Sequence, residues 1–206
     1  MTNDTDLRQM TVDTYNRAAA NFVGHFGDHG ARVEDIERAF ELAGNPQDAH
    51  VLELGCGDGR DAKEILKRTS NYLGTDISEG LLEIARKYVP EAKFELADMA
   101  SQSFPDELDV IFAFASMLHL NKEEVQTLLQ KAAKALKPGG VFYISMKYAP
   151  EYGQNVQEDK FGKRLFYFYN PELVAELAGD QFEVAGSWQA DVNAKKWFEI
   201  ALRRRS

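Results

Sequence analysis

A doubly wound α/β fold on a mostly parallel sheet follows from three features of the sequence. The apolar stretch Val51–Leu54 runs into a loop with glycines at 55, 57 and 59, and then into a helical pattern over 60–68. Strand, glycine loop and helix in that order open the nucleotide site of such sheets. Two more short strands, 72–77 and 93–99, carry acids at their ends, Asp76 and Asp98. Two late strands, 182–190 and 195–203, are separated by a turn short enough for an antiparallel hairpin.

The bulk properties bound the answer. At 206 residues the chain is expected to form one domain with one sizeable core. Hydrophobic residues make up 44% and charged residues 28%, as in ordinary globular domains. No apolar run is long enough for a bilayer, and the polar start MTNDTDLRQM lacks a signal-peptide core. The single cysteine, Cys56, excludes an internal disulfide and suits a reducing cytoplasm. A net charge of −9 and a pI of 5.0 disfavour a broad nucleic-acid surface.

Taken in order, residues 5–20 read as a helix, with Leu7, Met10, Thr14, Ala18 and Ala19 near helical spacing. His25 and His29 have the i, i+4 spacing of helical metal ligands, but glycines at 24, 27 and 30 argue against that helix, and no metal is expected. Residues 31–43 form an amphipathic helix stopped by Gly44-Asn45-Pro46. After the glycine loop, Asp76 closes the second strand. An ionised carboxylate there has two oxygens for a pair of ribose hydroxyls. Ser78 caps a helix to Tyr88, and Pro90 follows. Asp109–Phe112 has buried-strand chemistry and leads into the turn Ala115-Ser116-Met117-Leu118-His119. A neutral imidazole at 119 accepts a proton near pH 7, so His119 reads either as a base or substrate contact, or as a loop-orienting residue. The helix 122–136 stops at Lys137-Pro138-Gly139-Gly140, and the strand 141–148 follows. Residues 149–169 turn polar and then aromatic, which suits a substrate lid or a solvated loop. Within and beside it, Lys147 and Arg164 suit an anion. Asn170 and Pro171 then start a helix.

The motif Glu53-x-Gly55-x-Gly57-x-Gly59 resembles the first motif of the class I S-adenosylmethionine-dependent methyltransferases, of the type 11/25-like small-molecule kind. The resemblance extends to Asp98-Met99, to Ala115–His119, to the Leu136-Lys137-Pro138-Gly139-Gly140 segment and to the Tyr15 region of the first helix. It implies a Rossmann-like seven-stranded sheet of order 3-2-1-4-5-7-6, strand seven antiparallel, with helices on both faces. It further implies a helical cap over about 1–44 and a lid-like insertion at about 149–169. S-adenosylmethionine would contact Tyr15, Glu53, Gly55, Cys56, Gly57, Gly59, Arg60, Asp76, Ile77, Asp98, Met99 and Phe114. S-adenosylhomocysteine is the implied product and His119 the implied catalytic residue. Lys147, Tyr148, Arg164 and Tyr167 would meet a small-molecule acceptor. Neither an Asn/Asp-Pro-Pro-Tyr motif nor a cysteine outside the glycine loop is present, which favours that acceptor over nucleic acid or a membrane. A non-catalytic binder of the same cofactor, a nucleic-acid methyltransferase and a nicotinamide-dependent oxidoreductase stand as alternatives. The chain is expected to be cytoplasmic, as a monomer or homodimer.

Overall fold

The structure is a computed structural model and describes residues 4–26, 30–192 and 195–206. Its first helix, α1 (Asp4–Phe26), is longer than the sequence suggests and passes through Gly24. One helical glycine costs about 1 kcal/mol, and the burial of Ala18, Ala19 and Phe22 offsets it. Of the paired positions, His25 lies on the last turn of α1 and His29 lies outside the described residues. Helix α2 (Val33–Leu42) buries Ile36, Ala39 and Phe40.

The central sheet takes β1 (Val51–Leu54), β2 (Tyr72–Asp76), β3 (Lys93–Leu96), β4 (Leu108–Phe114), β5 (Leu136–Lys147), β8 (Phe182–Val192) and β9 (Lys195–Arg204) in the order β3-β2-β1-β4-β5-β9-β8. The first five are parallel, while β9 runs antiparallel to both β5 and β8. With two strands inserted before it, the closing hairpin gives the expected seven-stranded order. Alternation in the pleat divides the core. Leu52, Leu54, Ile111, Ala113, Phe142 and Ile144 face one side with α5 (Lys122–Ala135) and α6 (Pro171–Ala178). Val51, Val110, Phe112, Val141 and Tyr143 face the other with α2, α3 (Ala62–Ile65) and α4 (Glu79–Tyr88). Both faces are covered, as a parallel sheet requires.

Three local expectations are corrected. The helix read over 60–68 shrinks to the single turn of α3, and residues 66–68 continue as turns, Lys67 and Arg68 with i to i−3 bonds, while Asp61 at the start spends its carboxylate on Arg32. The Lys137–Gly140 segment is not a free turn. It belongs to the start of β5, where Leu136 pairs with Leu108, Val141 pairs with Val110, and the residues between them form an irregular bulge. Residues 149–169 are neither a loop nor irregular. They hold a hairpin of β6 (Gly153–Asp159) and β7 (Gly162–Phe168), paired only with each other. Helix α1 holds this hairpin down: Thr14 donates its hydroxyl to the Lys163 carbonyl at 2.8 Å, the Leu165 N–H donates to Thr11 Oγ1 at 2.9 Å, and Phe22 stacks on Phe161 at 4.2 Å.

Candidate functional site

The strand order reverses direction between β1 and β4, and a cavity of about 870 Å³ opens beyond the carboxyl ends of the strands there. That is where open α/β sheets bind ligands. The volume sits high in the range of about 300–1,000 Å³ for small-molecule sites.

The floor of the cavity is the glycine loop. Gly55 has φ +74°, and a Cβ on it would lie 2.3 Å from Ser116 Cβ. The backbone of β1 therefore passes tight against the turn after β4, and Ser116 donates its hydroxyl to the Leu54 carbonyl at 2.6 Å. Beside the loop, Asp76 accepts the Gly57 N–H on Oδ2 (2.9 Å) and the Ser78 N–H on Oδ1 (2.8 Å). Each oxygen retains acceptor capacity for a ligand hydroxyl. Burial raises its carboxyl above the ordinary range, opposed by the N–H groups of Ser78, Gly57 and Ile77.

Asp98 follows the end of β3. Its Oδ1 accepts from Arg8 Nη2 (2.5 Å) and the Ala100 N–H (2.9 Å), leaving Oδ2 without a partner among the described residues. Arg8 also pairs with Glu124, so α1 is tied across this edge to both β3 and α5. Cys56, Gly57, Ile77, Met99 and Phe114 line the same cavity, and so does Arg60. The Cys56 thiol is buried and pushed well above its usual value, chiefly by that burial; it is therefore held protonated.

At the far end of the cavity, three side chains and one backbone carbonyl form a polar chain. Arg164 Nη1 donates to the Tyr15 hydroxyl at 3.3 Å. Tyr15 meets His119 Nε2 at 2.9 Å, and His119 Nδ1 lies 2.6 Å from the Leu165 carbonyl. A carbonyl only accepts, so Nδ1 carries the proton, Nε2 is the acceptor and the Tyr15 hydroxyl donates to it. Burial, opposed in part by the Leu165 carbonyl, pushes the imidazole pKa down to about 3. This corrects the reading of His119 as a free base: its lone pair is already engaged. Nuclear magnetic resonance of the imidazole nitrogens should report one neutral Nδ1–H tautomer from pH 5 to 8. A titration centred near 6.5 would contradict the assignment.

Lys147 is buried beside this chain. Its Nζ lies 3.4 Å from the Phe166 ring centre and donates to Gln157 Oε1 at 3.1 Å. Burial, then the positive charges of Lys195 and Arg164, lower the ammonium pKa to about 7.

Four expected contacts lie outside the cavity lining. Glu53 is 1% exposed beneath the loop and accepts the Tyr72 hydroxyl. Burial, then the charge of Asp61, push its carboxyl up to about 8. Gly59 has φ +80°, and its Cβ would meet Phe94 and Ala85 at 3.1 and 3.2 Å, so it serves the packing of α4 on β3. Tyr148 and Tyr167 are out of phase with Lys147, Arg164 and Phe166 in the pleat and pack on the α5–α6 core. Among the charged residues absent from the sequence reading that line the cavity are Arg8, Arg32 and Asp61. Asp61 is buried and takes both the N–H and the guanidinium of Arg32. The only sequence signal for it was an acid directly after the glycine loop.

Glu53 carries a stability prediction. The folded protein keeps this proton to about pH 8, whereas an unfolded glutamate gives it up near 4.5. The folded state thus holds the extra proton in that window, and stability falls as pH rises through it. Glu53→Gln should flatten the pH dependence of urea unfolding between those limits. An unchanged slope would refute the buried, protonated carboxyl.

Among the described residues no cluster of three or more His, Cys, Asp or Glu is placed to hold a metal ion, and no helix is long and apolar enough to cross a membrane.

Comparison with known proteins places this geometry. Residues 51–140 match the family model described as a methyltransferase domain. Trans-aconitate 2-methyltransferase of Variovorax paradoxus is 38% identical over 104 residues, covering 49% of this chain and 39% of that protein. A dTDP-3-amino-3,4,6-trideoxy-alpha-D-glucopyranose N,N-dimethyltransferase of Streptomyces venezuelae is 27% identical over 132 residues, covering 63% and 55%. The matched stretches thus span well under two thirds of these relatives. The fold is shared with the 1,6-didemethyltoxoflavin-N1-methyltransferase of Burkholderia thailandensis, solved with 1,6-didemethyltoxoflavin and S-adenosylhomocysteine bound. The TM-score is 0.76 at 16% identity, over 100% of this chain and 92% of that one. It is also shared with the magnesium protoporphyrin IX methyltransferase of Synechocystis PCC 6803, solved with S-adenosylmethionine bound (TM-score 0.73, 16% identity, 99% and 98% covered). The segment 51–140 thus matches a methyltransferase domain, and the seven-stranded sheet that carries it has the fold of S-adenosylmethionine-dependent methyltransferases of known structure.

Proposed function

We propose that this protein transfers the methyl group of S-adenosylmethionine to a small-molecule acceptor. The observation that carries the reading is one continuous cavity that joins the glycine loop, Asp76 and Asp98 at one end to Lys147, Arg164 and His119 at the other. The first end suits a nucleoside. The free acceptor capacity of Asp76 takes the ribose hydroxyls, and Asp98 Oδ2 takes an adenine amine, with Met99 against the ring. Gly55, Cys56 and Gly57 leave room for the methionyl part beside Arg60, and Phe114 borders the passage to the second end. Tyr15 lines the same cavity, with its hydroxyl bonded to His119 and Arg164 towards the acceptor end.

Bound there, S-adenosylmethionine supplies an electrophilic methyl group. The chain itself supplies placement. Helix α1 and the β6–β7 hairpin cover the acceptor end and limit its access to water, and fixed geometry alone accounts for a large share of acceleration in such transfers. The reading takes the chain as one domain, with α1–α2 as cap and the hairpin as lid, acting in the cytoplasm as a monomer or homodimer on a substrate that is not nucleic acid. The net charge of −9 supports the last point.

The test uses deuterium-methyl-labelled S-adenosylmethionine and a mixture of small metabolites. Mass spectrometry should find an acceptor that gains the labelled methyl group only with active protein. A non-catalytic binder would take the cofactor and label nothing in any mixture.

A further inference from the structure

The acceptor end of the cavity holds two cations against one aromatic ring. Lys147 Nζ lies 3.4 Å from the Phe166 ring centre, and Arg164 Cζ lies 5.2 Å from the same centre. Arg164 also packs over Tyr15 and Phe22, at 5.4 and 4.9 Å. Both residues are 8% exposed. Like charges brought together in a buried site repel, and each loses hydration. A single aromatic face repays part of this, but only an anion repays both cations at once.

The protein supplies one anion between the two. Asp159 pairs with Arg164 Nη2, and its side chain is 44% exposed at the hairpin end. Arg164 Nε has no hydrogen-bond partner among the described residues. Lys147 has only the neutral Gln157 oxygen and no carboxylate within ion-pair distance among those residues. Glu199 and Asp35 line the cavity on the other flank. There Asp35 is paired with Arg38, and burial holds the Glu199 carboxyl above its ordinary range. Phe166 therefore faces two basic groups, delivered by β5 and β7 into the space where an acceptor would sit: Arg164 is charged, and Lys147, its ammonium pKa lowered to about 7, is held in its charged form once an anion arrives.

Resting on the methyl-transfer reading above, we propose that the acceptor is a carboxylate-bearing small molecule, anchored by an ion pair to Lys147 and Arg164 across the face of Phe166. A carboxylate matches the planar guanidinium, accepts from the ammonium at the same time, and fits the edge of an aromatic wall. The local arrangement also limits what the acceptor asks of the protein. His119 Nε2 is engaged by Tyr15, so the methylated atom arrives with its lone pair already available. Gln157 is the residue the acceptor displaces from Lys147, which places β6 in direct contact with the bound molecule.

The experiment is calorimetry in two stages. The protein is first titrated with S-adenosylhomocysteine. The loaded protein is then titrated with benzoate, succinate and tricarballylate, each beside its amide. At least one carboxylate should bind, with its amide at least about 10-fold weaker. Lys147→Met and Arg164→Met should each weaken that binding by about 10- to 100-fold, the range for a lost charged hydrogen bond. Lys147→Met should leave the affinity for S-adenosylhomocysteine unchanged. Lys147→Arg should restore most of the carboxylate binding, because it keeps a cation there; a residue needed as a proton acceptor would not be rescued by arginine. If Arg164→Met fails to fold, the Lys147 pair decides. Binding of the cofactor product with no carboxylate bound, with amides bound as tightly, or with Lys147→Met unaffected, overturns the proposal and leaves methyl transfer standing. Failure of the first titration overturns the methyl-transfer reading and this proposal with it.

Discussion

Asp76→Ala should weaken S-adenosylhomocysteine binding by about 100- to 10,000-fold. Hydrogen bonds to a charged group contribute about 1.5–3 kcal/mol each, and a ribose would take two of them from this carboxylate. The substitution also strips the Gly57 and Ser78 N–H groups of their acceptors. The loop that has to cradle the ligand therefore loses its brace in the same step. Asp76→Asn separates the two effects. It preserves the side-chain shape and one acceptor oxygen, so about 10-fold of the loss should return if the charge is the lesser part. Calorimetry reads the affinity and far-ultraviolet dichroism checks the fold. An Asp76→Ala protein that is folded and binds as the wild type does would remove Asp76 from the site.

Gly55→Ala should destabilise the whole domain. A left-handed backbone costs an L-residue about 1–2 kcal/mol, and overpacking a tight core contact adds about 1–3 kcal/mol. Here the added methyl lies 2.3 Å from Ser116 Cβ. Relief requires β1 to separate from the turn after β4, which breaks the Ser116–Leu54 bond and opens the floor of the cavity. Urea unfolding should show a loss of about 2–5 kcal/mol, together with loss of cofactor binding at temperatures where the protein remains folded. Gly57→Ala makes the comparison. It has the same backbone sign, φ +57°, but no heavy atom within 4 Å of the added methyl. It should lose only the backbone share.

The parts of this structure visible in the sequence are those governed by local periodicity. Among the five parallel strands, β1, β4 and the Val141–Met146 part of β5 are apolar runs, and the loop glycines stand where the backbone needs φ above zero. Asp76 and Asp98 follow strands whose carboxyl ends all point to one edge. The closing pair β8–β9 was legible because the turn between its strands leaves no length for a crossover. What was hidden depends on distant partners. Arg8 meets Asp98 and Glu124 only after folding, and nothing in its surroundings distinguishes it from a surface arginine. Asp61 reads as the start of a helix, yet Arg32 claims it. The β6–β7 hairpin was masked because β6 is polar and largely exposed, so only β7 shows an apolar signal.

Glu53 shows how an acid near a strand end misleads. It lies inside β1, whereas Asp76 ends β2 and Asp98 follows β3, and its side chain is buried below the loop against Tyr72. His119 shows the same limit for a titratable group: its residue type suggests a base, and its hydrogen bonds decide otherwise. Tyr15 was placed with the cofactor from its neighbours in sequence. Its hydroxyl lies between Arg164 and His119 in the same cavity, where α1 packs on β7 through Thr11 and Thr14.

The most direct test of the central claim is calorimetric titration of the wild-type protein with S-adenosylmethionine, S-adenosylhomocysteine and NAD. The account predicts one site per chain for the first two, in competition with each other, and no heat of binding for NAD. Binding of NAD, or of none of the three, would contradict it.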